Sequence, residues 1–130
     1  MPFTIYPEIK LVVSYFSGPI VYQDIIDWVD ELSSNESFSK EYDGIVDLRK
    51  AVFTDPTPDK ARSLSSYMME HNFTQGKLAV LVDKPTETAL VILHRQAEGG
   101  RRPVEIFSTV EAAADFIEKD AESIKMRLGD

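Results

Sequence analysis

Residues 44–59 read GIVDLRKAVFTDPTPD, and the reading of this stretch decides the fold. It opens as a short apolar strand, Gly44 to Leu48. It passes through a loop carrying Arg49, Lys50, Thr54 and Asp55. It ends at a helix start, Thr57-Pro58-Asp59. A threonine hydroxyl at the N-cap satisfies an orphan N–H, a proline next to it presets φ, and a carboxylate in the first turn meets the positive end of the helix dipole. The unit is strand, loop, helix.

The chain on either side carries the same alternation. Phe3 to Tyr6 reads as a first strand, Pro7-Glu8 as a tight break, and Ile9 to Phe16 as a second strand rich in β-branched and aromatic residues, ended by Ser17-Gly18-Pro19. Two strands this close in sequence predict an antiparallel hairpin. From Val21 to about Ser34 the apolar residues Val21, Ile25, Trp28, Val29 and Leu32 recur at helical spacing, with Gln23, Asp24, Asp27, Asp30 and Glu31 opposite. Ser33 to Tyr42 is a polar connector pinned by Phe38 and Tyr42. The helix begun at Thr57 runs to about His71, with Ala61, Leu64, Tyr67 or Met68, and His71 inward, and Gln75-Gly76 closes it.

Lys77 to Val82 is apolar on both faces, the pattern of a central parallel strand covered on both sides. Pro85 to about Glu98 is a third helix, with Leu90 to Leu93 apolar around more than half of it, Arg95 in its last turn and Gly99-Gly100 beyond. Val104 to Phe107 is a fifth strand. Ser108 to Glu111 has capping-box spacing with Ser108 as the cap. One last helix then places Ala113, Phe116, Ile117, Ala121, Ile124 and Leu128 on a stripe. The predicted fold is α/β in one domain, residues 1–130: a five-stranded, mainly parallel sheet with an antiparallel N-terminal strand, and four helices.

Composition bounds the function. A chain of 130 residues buries enough surface to fold without staples, and it holds no cysteine, so disulfides, thiolate metal sites and a cysteine nucleophile are excluded. The net charge of -8 disfavours nucleic acid and anionic membranes as partners. No apolar run approaches the ~20 residues of a membrane span, and the first residues lack a signal-peptide pattern, so the expectation is a cytoplasmic protein.

The hairpin ending in Phe16-Ser17-Gly18, the acidic first helix, the strand end Asp47-Leu48-Arg49, and Val104 to Phe107 followed by Glu111-Ala112-Ala113 resemble the SpoIIAA-like superfamily. That group joins STAS domains (sulfate transporter and anti-sigma-factor antagonist) with CRAL-TRIO lipid-transfer domains. The resemblance covers nearly the whole chain and is closest to small stand-alone bacterial members. It implies a βα superhelix and a non-enzymatic regulatory or signalling role through binding a protein or a second copy of the chain. Its alternative implication is a small-molecule or lipid-binding module using the third helix. Anti-sigma-factor antagonists carry a phosphorylated serine where this chain has Pro56 and Thr57, and a glycine where it has Pro58. Only Thr57 keeps a hydroxyl.

Candidate interaction or ligand residues lie beyond the carboxyl ends of the strands, where open parallel sheets bind ligands: Asp47, Arg49, Thr54, Asp55, Thr57, Asp83 and Lys84, with Ser17 and Ser108 at the same ends. Asp47 and Arg49 read as a structural ion pair or as a ligand clamp. Thr57 reads as a cap or as a phosphosite. His71 and His94 have no metal-ligand spacing, no nucleophile-elbow pattern supports a triad, and neither metal nor cofactor is expected.

Overall fold

The computed structural model describes residues 2–55, 57–70, 76–100 and 103–129. It is an α/β domain built on one five-stranded sheet. The strands are β1 (Phe3–Tyr6), β2 (Leu11–Ile20), β3 (Asp43–Phe53), β4 (Leu78–Leu81) and β5 (Val104–Phe107). They lie side by side in chain order, with β1 antiparallel to β2 and all other pairs parallel. The helices are α1 (Tyr22–Ser33), α2 (Pro58–Glu70), α3 (Pro85–Glu98), α4 (Val110–Phe116) and α5 (Ala121–Leu128).

Strand alternation sorts the core into two layers. Val12, Phe16, Val46, Leu78 and Val80 face one side, where they pack with Ile25, Trp28 and Leu32 of α1, Ala61 and Met68 of α2, and Leu90 and Val91 of α3. Leu11, Val13, Ile45, Ala79 and Leu81 face the other, against Val110, Ala113 and Ala114 of α4, Ile117, and Ile124 of α5. Sheet residues covered on both sides lose water from both faces, which is why β4 reads as an unbroken apolar run.

The structure departs from the expected elements in four places. β2 does not stop at Phe16. It runs through Ser17-Gly18-Pro19 to Ile20, with Gly18 at φ +72°, because these residues pair with Lys50 to Phe53 of β3. β3 likewise continues to Phe53, so Arg49 and Lys50 belong to a strand. Between Tyr15↔Asp47 and Ser17↔Lys50, β3 spends one more residue than β2, a β-bulge. The bulge reverses the alternation: Val46 and Leu48 face the helical core before it, Ala51 and Phe53 after it. Third, the cap of α4 is Thr109, whose hydroxyl accepts from the Ala112 N–H at 3.2 Å, so Ser108 lies outside the helix.

Fourth, the last helix is two, making five α-helices among the described residues rather than four. The chain breaks after Ile117, with Glu118 left-handed at φ +58°, and α5 starts at Asp120, whose carboxylate accepts from the Ser123 N–H at 3.0 Å. An aspartate cap is available in the sequence, and the turn lets Ile117 and Ile124 both reach the sheet. Within α1, Val21 stands 44% exposed at the cap position instead of joining the inner face. Gly76 is fixed by proximity: a Cβ there would lie 2.3 Å from the Tyr42 carbonyl oxygen. His71 and Gln75 lie outside the described residues.

Candidate functional site

The bulge in β3 sets up the first polar cluster. Asp47 is 2% exposed, a position a carboxylate tolerates only when its charge and lone pairs are met. Arg49 meets them from the bulge: its backbone N–H, Nε and Nη2 donate to the carboxylate at 3.0, 2.9 and 2.8 Å. This is the bidentate geometry that a guanidinium supplies and an ammonium does not. β3 outruns β4 here, leaving strand carbonyls without a ladder partner. The Lys84 ammonium, from the turn after β4, donates to the Arg49 carbonyl oxygen. It also lies 3.5 Å from Asp83 and 4.0 Å from Glu87, a buried carboxylate that sequence reading did not single out.

Asp47, Arg49, Asp83 and Lys84 are thus brought together. Thr54, Asp55 and Thr57 form a separate group. The Thr54 N–H and hydroxyl both donate to the Ile20 carbonyl, at 3.0 and 3.3 Å, which ties β3 to the end of β2. Asp55 pairs with Lys60. The Thr57 hydroxyl accepts from the Lys60 N–H at 3.3 Å and the Thr57 carbonyl from the Ala61 N–H at 3.1 Å, the geometry of an N-cap. No group of three or more metal-ligating side chains occurs among the described residues.

A second polar cluster was not legible beforehand. Ser65 of α2, His94 and Glu98 of α3 stand in series. Ser65 Oγ lies 2.7 Å from His94 Nδ1, and His94 Nε2 lies 3.3 Å from Glu98 Oε1. The Ser65 hydroxyl also reaches the Ala61 carbonyl at 3.0 Å. One hydroxyl proton serves two acceptors, so the cluster has two arrangements. With the proton on Ala61, the imidazole Nδ1 carries hydrogen and donates to the Ser65 oxygen. With the proton on Nδ1, the ring is neutral and Nε2–H faces Glu98. Serine, histidine and glutamate are the residue types of a hydrolytic triad, but Ser65 is 1% exposed in the middle of a helix, out of reach of a substrate in solution. The cluster acts as a polar link between α2 and α3.

His94 also borders a cavity of about 90 Å³ lined by the sheet, α1, α2 and α3 and open in part to the surface. Its walls include the rings of Phe16, Tyr22, Trp28 and Phe53 and the small side chain of Ala61. Trp28 Nε1 is turned to the buried Ser14 hydroxyl at 3.0 Å. The Tyr22 hydroxyl is buried without a hydrogen-bond partner among the described residues. Burial first, and the Asp55 charge second, push its pKa above the usual value of about 10.

Comparison with protein-family models, with curated proteins and with solved structures finds no match to this chain. Among the described residues no helix is long and apolar enough to cross a membrane.

Proposed function

We propose that this protein is a regulatory interaction domain of the STAS-like type, binding a protein partner or a second copy of itself through the end of the β2–β3 pair and the start of α2. The observation that carries the reading is the overhang of that pair. Ser17 to Ile20 and Lys50 to Phe53 continue past the ends of β1 and β4, whose pairing stops at Ser14 and Asp47. The overhang presents Val52, a branched apolar residue 48% exposed, beside Lys50. An apolar side chain ringed by polar neighbours on a held strand supports the reading, since interfaces set an apolar centre inside a polar rim. Chemical cross-linking in cell extract, followed by mass spectrometry, tests it. The wild type should capture one partner that Val52→Asp loses while its melting temperature stays within about 2 °C. Capture of the same partner by the variant would place the surface elsewhere.

A second reading, a small-molecule binding module using α3, is favoured by the interior cavity. Its volume of about 90 Å³ lies well below the ~300–1,000 Å³ of pockets that take drug-sized ligands, so a whole lipid does not fit this conformation.

A further inference from the structure

The interior cavity shares a wall with a groove on the surface. The groove, about 520 Å³, runs between α1 and α2 and is bordered by Tyr22, Ile26, Lys60, Leu64 and Tyr67. Tyr22 and Leu64 also line the inner cavity, so the two spaces adjoin at these two half-buried side chains. We infer that the inner cavity binds a small uncharged molecule of one aromatic ring, admitted from the groove past Tyr22 and Leu64. The inference rests on the small-molecule reading above and adds to it the ligand class and the route.

Volume sets the size of the ligand. Apolar cavities of about 150 Å³ in protein cores stay dry and take up benzene, and this one is of the same order. The lining sets its polarity. Water needs two to four polar partners to remain in such a space. On these walls Trp28 is turned to Ser14, and His94 has its ring nitrogens beside Ser65 and Glu98, which leaves the Tyr22 hydroxyl as a single group to meet a water, fewer than water needs. A charged ligand would give up its hydration for no counter-charge. The rings set its shape. Phe16 and Trp28 meet edge to face at 5.8 Å and 82°, and Tyr22 tilts on Phe53 at 5.5 Å and 33°. Together they offer both ring faces and ring edges, the surfaces an aromatic guest packs against. Leu64 is the movable part of the wall, since a leucine side chain changes rotamer without breaking a hydrogen bond.

Trp28 is the chain's single tryptophan and borders the cavity, so its fluorescence reports occupancy. Benzene is the aromatic probe and 1-hexanol the unbranched comparison. Benzene should change the fluorescence saturably and, at about ten times its dissociation constant, raise the melting temperature by about 5 °C. Ala61→Leu fills the cavity and should weaken benzene binding by at least ~10-fold; Val91→Leu, filling from α3, serves if Ala61→Leu does not fold. Leu64→Ala should speed uptake and leave affinity within about threefold. Benzene binding unchanged in the filled variants overturns the location. A response to 1-hexanol alone overturns the aromatic class and leaves the small-molecule reading standing. A response to neither probe removes both.

Discussion

Single residues show where a sequence speaks and where it is silent. Thr57-Pro58-Asp59 announces a helix start because capping chemistry is local, and the Thr57 hydroxyl sits where a cap requires it. Thr57→Ala should lower stability by about 1 kcal/mol in urea denaturation with the slope of the transition unchanged. Asp47 was visible as a candidate, but its burial was not, because the bulge that turns Arg49 back onto it depends on the register with β2. Ser65 and His94 were invisible as a pair: they lie 29 positions apart on two helices, and nothing local marks their meeting. Tyr67 offers a titration with a definite sign. Its hydroxyl hydrogen-bonds Asp30, and this bond first, with burial and the charges of Asp30 and Asp27 after it, raises its pKa above 10. The folded state therefore favours the phenol. That contribution is fully present below the unfolded pKa of about 10 and is lost as pH rises through the higher folded value. Ultraviolet titration of wild type against Tyr67→Phe should show a tyrosine ionising above 10, and Asp30→Asn should return it toward the ordinary value.

Elements were legible in their middles and misjudged at their ends. The unbroken apolar run of β4, the short apolar segment of β5 and the Pro85 and Gly99 that bracket α3 are strong local signals, and the bounds of these elements agree with the sequence within a residue or so. β2 and β3 were cut short for a physical reason. Gly18-Pro19 and Arg49-Lys50 carry local turn and loop signals, yet the two segments hold each other in a parallel ladder, and tertiary pairing overrides propensity. Pro19 is tolerated because the pairing of β2 with β1 stops at Ser14, so that among the described residues no strand on that side asks for its missing N–H. The broken last helix had a signal in Asp120, masked by an apolar stripe that runs on through the turn. The connection before β4 offers a sharp test. Gly76→Ala places a methyl against the Tyr42 backbone, which cannot retreat as a side chain would, because Asp43 accepts from the Lys77 N–H at 2.9 Å and Gly44 donates to the Lys77 carbonyl at 2.8 Å. The variant should lose about 1–3 kcal/mol by chemical denaturation, and an unchanged midpoint would show that the connection yields.

The whole molecule is a sheet whose two faces are closed by different parts of the chain. Three helices threaded between the strands cover one face, and the last two, added after the final strand, cover the other. This alternation of strand and helix, with one antiparallel strand at an edge, was legible from the pattern alone. The division of labour between the faces was not, because strands buried on both sides give no sign of which helix meets which face. Strands laid down in chain order have a consequence for kinetics. Each new strand joins the one just made, so the parallel pairs, such as Leu11 with Asp43, Gly44 with Leu78 and Leu78 with Val104, close over one helical crossover each. The return of α5 to β2 is different, since it draws together residues about a hundred positions apart. That contact belongs to the end of folding. Ile124, fully buried in it, is the probe. Ile124→Val should cost about 1 kcal/mol, and nearly all of that cost should appear as faster unfolding in stopped-flow measurements, with the refolding rate almost untouched. A matching slowdown in refolding would put the carboxyl-terminal helix in the nucleus instead, and the sheet would then be completed around its last segment.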